Sequence, residues 1–308
     1  MDGVNRAHAR VPTVPEPTQE RRRVPGRYAG WLLLMPALAT LAFYASALFL
    51  LFEMSIERSG SGEDSGLWTA LVHYKRALTE ELYVRTLFVT FKVALYATVL
   101  SLLLGYPLAY TIVHTNSRLV RSLLILLVAI PFLTNVVVRL YALSLMLANT
   151  GLINTVLQQV GVLDENDILP LIRNEFGVTI GLVYFVLPFV VFTLVGSLQR
   201  LDKSLQEAAH SLGASEVVTF FLVTLPLSKA GVIGAGILAF TLTASAFSTP
   251  LILGGGKVQM VANTVYDQVL FSGNTPLGAA LAVVALVITI SILYVQARLS
   301  EPRGHARD

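Results

Sequence analysis

Residues Val178–Leu198 read VTIGLVYFVLPFVVFTLVGSL, 21 residues without a charged side chain. A helix of that length rises about 30 Å, the thickness of the hydrocarbon core of a bilayer. Working outward, five further long apolar runs follow, with Lys92, Arg121 and Arg139 as their only charges: Ala29–Phe52, Leu87–Val113, Leu119–Leu147, Val232–Leu253 and Leu277–Ala297. The 308 residues are 55% hydrophobic and 13% charged, with a mean hydropathy of +0.69. A soluble domain carries about 25% charged residues, so the apolar excess requires an apolar solvent. The expected fold class is an all-α integral membrane protein with six transmembrane helices. The first run follows Arg21, Arg22 and Arg23, is too long for a signal-peptide core and is closed by no A-x-A-like site, so it reads as a retained span.

Orientation follows from Lys and Arg. Basic residues fill the N-terminal tail (Arg6, Arg10, Arg21, Arg22, Arg23, Arg27), the second-to-third connection (Arg118, Arg121), the fourth-to-fifth (Arg200, Lys203, Lys229) and the C-terminal tail (Arg298, Arg303, Arg307). Acids concentrate in the other loops: Glu53, Glu57, Glu63, Asp64, Glu80 and Glu81, then Asp164, Glu165, Asp167 and Glu175. Both termini are therefore expected in the cytoplasm. The chain divides into a basic N-terminal tail (1–28), a transmembrane domain (29–297) and a C-terminal tail (298–308). The net charge of +3 and pI of about 9.2 mark topology, with no nucleic-acid partner implied. With no cysteine, no disulfide holds the fold.

Several chemistries are excluded. Gly254-Gly255-Gly256-Lys257 resembles a phosphate loop, but Leu251 and Val258 stand where Walker A needs Gly and Ser or Thr. His8, His73, His114, His210 and His305 are scattered and give no metal spacing. No G-x-S-x-G or H-E-x-x-H appears, so no catalytic site and no bound cofactor are expected. The spans hold no Asp or Glu, which disfavours an ion-coupled carrier or stand-alone channel. They do hold Pro36, Pro107, Pro131, Pro188 and Pro250, read either as hinges or as static curvature.

The loop before the fifth span, Leu201–Leu227, reads LDKSLQEAAHSLGASEVVTFFLVTLPL. Ser204 and Glu207 have capping-box spacing, Ala208 and Ala209 continue a short helix, and Gly213 can end it in a left-handed conformation. Ser215 can cap a second short helix, whose end Pro226 marks. The product is a compact helix–turn–helix with a small-residue face at the membrane surface.

Glu207-Ala208-Ala209, three residues, Gly213, nine residues, Val223, one residue, then Leu225-Pro226 is similar to the EAA motif of ABC importer permeases, with Val223 in place of Ile. The resemblance covers roughly Leu87 to Ala297. Gly105-Tyr106-Pro107-Leu108-Ala109-Tyr110, Pro131 to Ser144, Gly151-Leu152-Ile153-Asn154 and Ser248-Thr249-Pro250-Leu251 together resemble the spermidine/putrescine permease group. The resemblance implies a type I (MetI-like) permease fold in a bacterial cytoplasmic membrane. Its implied partners are two ATPase subunits, which hold ATP and Mg, a second similar permease and an extracytoplasmic solute-binding protein. It assigns Ser204, Glu207, Ala208, Ala209, Gly213, Leu225 and Pro226 to ATPase coupling. The implied solute is a polyamine; an anion or another small organic solute is the alternative.

Polar residues within the spans are candidates for the translocation path. Asn135 and Arg139 lie one turn apart in the third run, beside Tyr141. A mid-membrane Arg costs about 2.5–3.5 kcal/mol on insertion scales, so Arg139 either faces the path or snorkels to the headgroups. Thr241, Ser245, Ser248 and Thr249 follow i, i+4, i+7, i+8 and are expected on one helix face, lining a path or bonding a neighbouring helix.

Single cysteines introduced into this cysteine-free chain test the orientation. Impermeant thiol reagents applied outside are expected to label Ser61→Cys and Asn166→Cys but not Ser211→Cys; outside labelling of Ser211→Cys reverses the topology.

Overall fold

The computed structural model describes residues 27–56, 67–164 and 167–300, so Ser61 and Asn166 lie outside it. The chain separates into two units at Phe49/Leu50. Helix α1 (Arg27–Ile56) makes up the described part of the first and begins the second. The second continues with α2 (Leu67–Thr79), α3 (Glu81–His114), α4 (Arg118–Leu133), α5 (Val136–Leu147), α6 (Leu152–Gln159) and α7 (Glu175–Leu198). After them come α8 (Lys203–Ser211), α9 (Glu216–Thr219), a π-turn (Phe220–Thr224), α10 (Leu225–Leu227), α11 (Lys229–Ala244), α12 (Ser248–Leu253), α13 (Val261–Tyr266), a second π-turn (Asp267–Phe271) and α14 (Thr275–Ser300). The described residues contain no strand.

Among the described residues five helical stretches are long and apolar enough to cross a bilayer: Leu34–Ile56, Glu81–His114, Val136–Gln159, Glu175–Leu198 and Thr275–Arg298. A sixth is reached when Glu216–Leu227 and Lys229–Ala244, bent by 64°, count as one.

The core is the pair α3 and α7, with α11 packed against both. At one end Tyr106, Ala109 and Ile112 of α3 meet Val190, Val191 and Leu194 of α7. At the other, Val93 and Ala97 meet Val178, Leu182 and Val183, joined by Leu140, Leu147 and Leu253. Helix α14 packs on α2, α11 and α13 through Leu277, Leu281 and Val284. Association in lipid rests on close packing and interhelical hydrogen bonds, and small residues permit that closeness. A Cβ at Gly181 would come within 2.2 Å of Leu253 Cδ1 and 2.8 Å of Thr249 Cγ2; one at Gly231 would come within 2.0 Å of Ser197 Oγ.

Two expected spans are broken. The third run is two helices, because Thr134 leaves helical geometry and the Asn135 side chain accepts from Val137 N at 2.8 Å, starting α5 afresh. Helix α4 alone rises about 24 Å, short of the hydrocarbon thickness, and the crossing-length stretch here is Val136–Gln159, which begins with α5. The fifth run breaks at Ser245–Phe247. There Ser245 Oγ bonds back to Thr241 O at 2.9 Å, and Pro250 offers no amide to the carbonyl four residues earlier. Thr241, Ser245, Ser248 and Thr249 therefore do not share one helix face. Pro107 and Pro188 stay inside the continuous α3 and α7.

Gly181→Val is expected to cost about 1–3 kcal/mol by overpacking the contact of α7 with α12. Gly234→Ala, where a Cβ meets nothing within 4 Å, serves as the neutral control. Thermal unfolding in detergent reads both; equal melting temperatures would show that the α7–α12 contact is looser than described.

Candidate coupling site and translocation cleft

The polar loop after α7 folds as the sequence pattern requires, with one displaced cap. Asp202 is the N-cap of α8, accepting from Ser204 N at 2.9 Å. The amide and hydroxyl of Ser204 hold the Asp202 carboxyl below its ordinary value. Ser204 is thus the second residue of α8, and the expected capping box at Ser204 and Glu207 does not form, because the aspartate two residues earlier takes the amide. The Glu207 carboxylate is exposed and has no partner among the described residues.

Gly213 has φ +87°, with Gly213 N bonded to His210 O at 2.9 Å and Ala214 N to Ala209 O at 3.0 Å. This is a Schellman closure of α8. Ser215 Oγ caps α9 through Val218 N. Pro226 marks the end of the second helix as expected: the helix stops one residue further, at Leu227, and the chain bends by 64° into α11. The π-turn before Pro226 carries a Leu225 N to Phe220 O bond, widening the backbone where the proline ring would crowd the Leu222 carbonyl. Outward, α8 and α9 present Leu212, 89% exposed, and Val217, 65% exposed. Leu225 and Pro226 border a shallow apolar cleft of about 240 Å³ with Lys229 and Val232.

The inward face is tied to α3. Gln206 bonds His114 Nε2 at 3.3 Å and Thr224 Oγ1 at 3.1 Å. The Tyr106 and Tyr110 rings lie edge-on to Phe220, with centroids 5.6 and 5.2 Å away, and Tyr106 Oη lies 2.8 Å from Ser228 Oγ. Arg121, a topology marker in the sequence, closes the end of α3 by donating to Ile112 O and Thr115 O at 3.1 and 2.9 Å. These partners are up to 122 residues apart, and no local sequence signal pairs them.

In the third crossing, Arg139 Nη1 donates to Pro131 O at 2.5 Å, and its guanidinium lies 5.4 Å from the Tyr184 ring centroid. It occupies the C-terminal carbonyl of α4, where a cation meets the negative helix end. Arg139 lines a mostly apolar cleft of about 390 Å³ with Thr134, Val138, Ala142, Leu143, Met146 and Tyr184. Tyr141 and Asn135 are exposed outside that lining. Thr241, Ser245 and Ser248 also lie away from it, and Thr249 is buried against α7. Sequence reading missed Asn263, which is buried on α13 and donates to Phe247 O at the break in the fifth run, 3.1 Å away.

Comparison with known proteins fits this geometry. Residues 101–303 match the family described as "binding-protein-dependent transport system inner membrane component". The chain belongs to this family. It is 34% identical over 224 residues to the spermidine/putrescine transport system permease protein PotB of Haemophilus influenzae, covering 73% of this chain and 77% of that one. Against PotB of Escherichia coli it is 32% identical over 271 residues, covering 88% and 94%. The fold matches a chain of a bacterial ABC transporter that imports the acidic polysaccharide alginate, at a TM-score of 0.71 and 16% identity, over 90% of this chain and 98% of that one. The protein is thus a membrane permease subunit with the ABC importer permease fold. No group of three or more His, Asp or Glu side chains suited to a metal ion occurs among the described residues.

Arg139→Ala is expected to leave Pro131 O with only the Thr134 hydroxyl, 3.2 Å away, at a cost of about 1–3 kcal/mol. Arg139→Lys keeps the charge but loses the planar contact with Tyr184 and recovers part of the stability. Melting temperature measured beside uptake separates this bracket from a path role: a stable Arg139→Ala with reduced uptake assigns the residue to the path alone.

Proposed function

We propose that this chain is the permease subunit of an ATP-driven, binding-protein-dependent importer for polyamines. In this reading both termini and α8 lie in the cytoplasm of a bacterial cell. The single supporting observation is the α8–α9 element itself. A Schellman-closed helix pair offers an unpaired Glu207 and exposed Leu212 outward, while its inward face is bound to the end of a core helix. Such a surface fits a cleft on an ATPase subunit. Ser204, Ala208, Ala209, Leu225 and Pro226 are assigned to the same coupling element. Two ATPase subunits holding ATP and Mg bind this loop and that of a second, similar permease, and their closure drives alternating access. An extracytoplasmic binding protein delivers the solute, in keeping with the periplasmic protein bound in the alginate transporter complex. Polyamine as solute rests on the likeness to the PotB permeases. Asn135, Arg139, Tyr141, Thr241, Ser245 and Ser248 remain the proposed polar contacts of the path, while Thr249 is withdrawn to the packing against α7. An anionic solute is the second reading, favoured by spans without a carboxylate and by Arg139.

Glu207→Ala removes the outward charge. Gly213→Val forces a β-branched residue to φ +87°, at about 1–2 kcal/mol. Both are expected to lower ATPase co-purification or to abolish the ATPase stimulation produced by loaded binding protein in vesicles, with solute affinity of the binding protein unchanged. Full stimulation and uptake in both variants would remove α8 as the coupling element.

A further inference from the structure

The end of the bundle opposite α8 holds a cavity of about 440 Å³ between the first turns of α3, the start of α7 and the loop after α12. Arg85, Arg173 and Lys257 line it, with Glu175 as its only acid. The Glu175 carboxylate is already taken by Lys92 Nζ at 2.5 Å. Among the described residues no carboxylate pairs with Arg85, Arg173 or Lys257. The N-terminus of the 24-residue α7 adds its positive dipole end at Asn174.

Arg173 is set there at a cost. Its φ of 62° is the only left-handed backbone among the described non-glycine residues. The conformation is locked by Arg173 N donating to Leu253 O at 2.9 Å. Its side chain passes over Gly255, where a Cβ would come within 2.9 Å of Arg173 Cγ. Left-handed backbone at a non-glycine residue is strained, and such strain collects at ligand sites.

We propose that this cavity is a socket for carboxylate side chains on the rim of the extracytoplasmic binding protein. The inference rests on the importer reading above and on its orientation, which places this end outside. Charge complementarity selects the occupant. A polyamine is a polycation and is repelled by three unpaired cations, so the solute itself is a poor fit. Lipid headgroups meet the periphery of a bundle, whereas this cavity sits at the ends of α3 and α7, its central pair. Acidic residues of a docked protein satisfy the cations and cancel their field, which clears the mouth for a cationic solute released there. Opposed charge patches speed encounter and fix register.

The test uses the whole transporter in nanodiscs and its loaded binding protein as probe, with association followed by biolayer interferometry. Arg85 and Lys257 are both exposed, so Arg85→Glu and Lys257→Glu fold normally. Each is expected to weaken association about fivefold or more at ~0.1 M salt, chiefly in the on-rate, and the double variant to lose most of the salt dependence. Lys257→Gln falls between wild type and reversal, and an acid-to-Lys change on the binding protein's rim restores Lys257→Glu. Unstimulated ATPase activity and the binding protein's solute affinity stay as in wild type. Three outcomes overturn the proposal: association of the double variant within twofold of wild type, a loss seen only in nanodiscs with anionic lipid, or unchanged association with a raised uptake KM. A wild-type transporter that captured no binding protein would overturn the importer reading, and the socket with it.

Discussion

The packing of α3 against α7 is the contact on which the rest of the bundle depends. Both helices are longer than the apolar core requires, and they touch near both ends. In lipid this contact gains little from the hydrophobic effect, since a tail is as apolar as a leucine; it holds by fit. Gly105 shows how close the fit is, because a Cβ there would come within 2.9 Å of Val190 Cγ1. A dense contact of this kind does not deform smoothly and moves as a body. The pair carries the α8–α9 loop at its His114 and Leu198 end and the basic cavity at its Arg85 and Glu175 end.

The second constraint is that the bilayer offers no hydrogen bonds to a freed backbone group. Every interruption of a crossing helix must then be answered from within the protein. The break between α4 and α5 is answered by Arg139 and Thr134 at Pro131 O and by Asn135 at Val137 N. The break between α11 and α12 is answered by Asn263 at Phe247 O. Several polar side chains that look like path residues in the sequence spend their bonds on these repairs. The cost of placing Arg139 in an apolar segment is offset by a carbonyl and an aromatic face, which neither the path reading nor the snorkelling reading had assigned to it.

This explains what the sequence discloses and what it withholds. Apolar run length reveals the membrane class, and motif spacing reveals the α8–α9 element, because both are local properties of the chain. Gly213 was legible for the same reason: a helix stop needs only its own backbone freedom. The cap of α8 moved from Ser204 to Asp202 because adjacent residues compete for one amide, and spacing alone does not rank them. The breaks in the third and fifth runs were hidden, since Thr134-Asn135 and Ser245-Ala246-Phe247 are no more polar than residues that stay helical elsewhere. The inward anchors of the loop, Gln206 to His114 and Tyr106 to Ser228, were invisible for a different reason. They join residues 92 and 122 positions apart, and only the tertiary fold pairs them.

Those anchors decide how a force on the loop enters the bundle. Helix α8 packs chiefly on α9 and on the π-turn that follows it. Its side-chain link onward runs through Gln206 to His114, while Phe220 of the π-turn sits edge-on to Tyr106 and Tyr110. All three receiving residues belong to the last turns of α3. Arg121 fastens the same turns from α4 by holding Ile112 O and Thr115 O. A displacement of α8 is therefore delivered first to the end of α3 and to α4 with it. From there the closely packed α3–α7 contact carries it along the axis, toward the turn where Arg85 faces Arg173 and Lys257 across the cavity. On the importer reading, the helix that receives the ATPase movement is also the helix whose far end lines the docking face. One rigid element then links the two events without a separate relay between them.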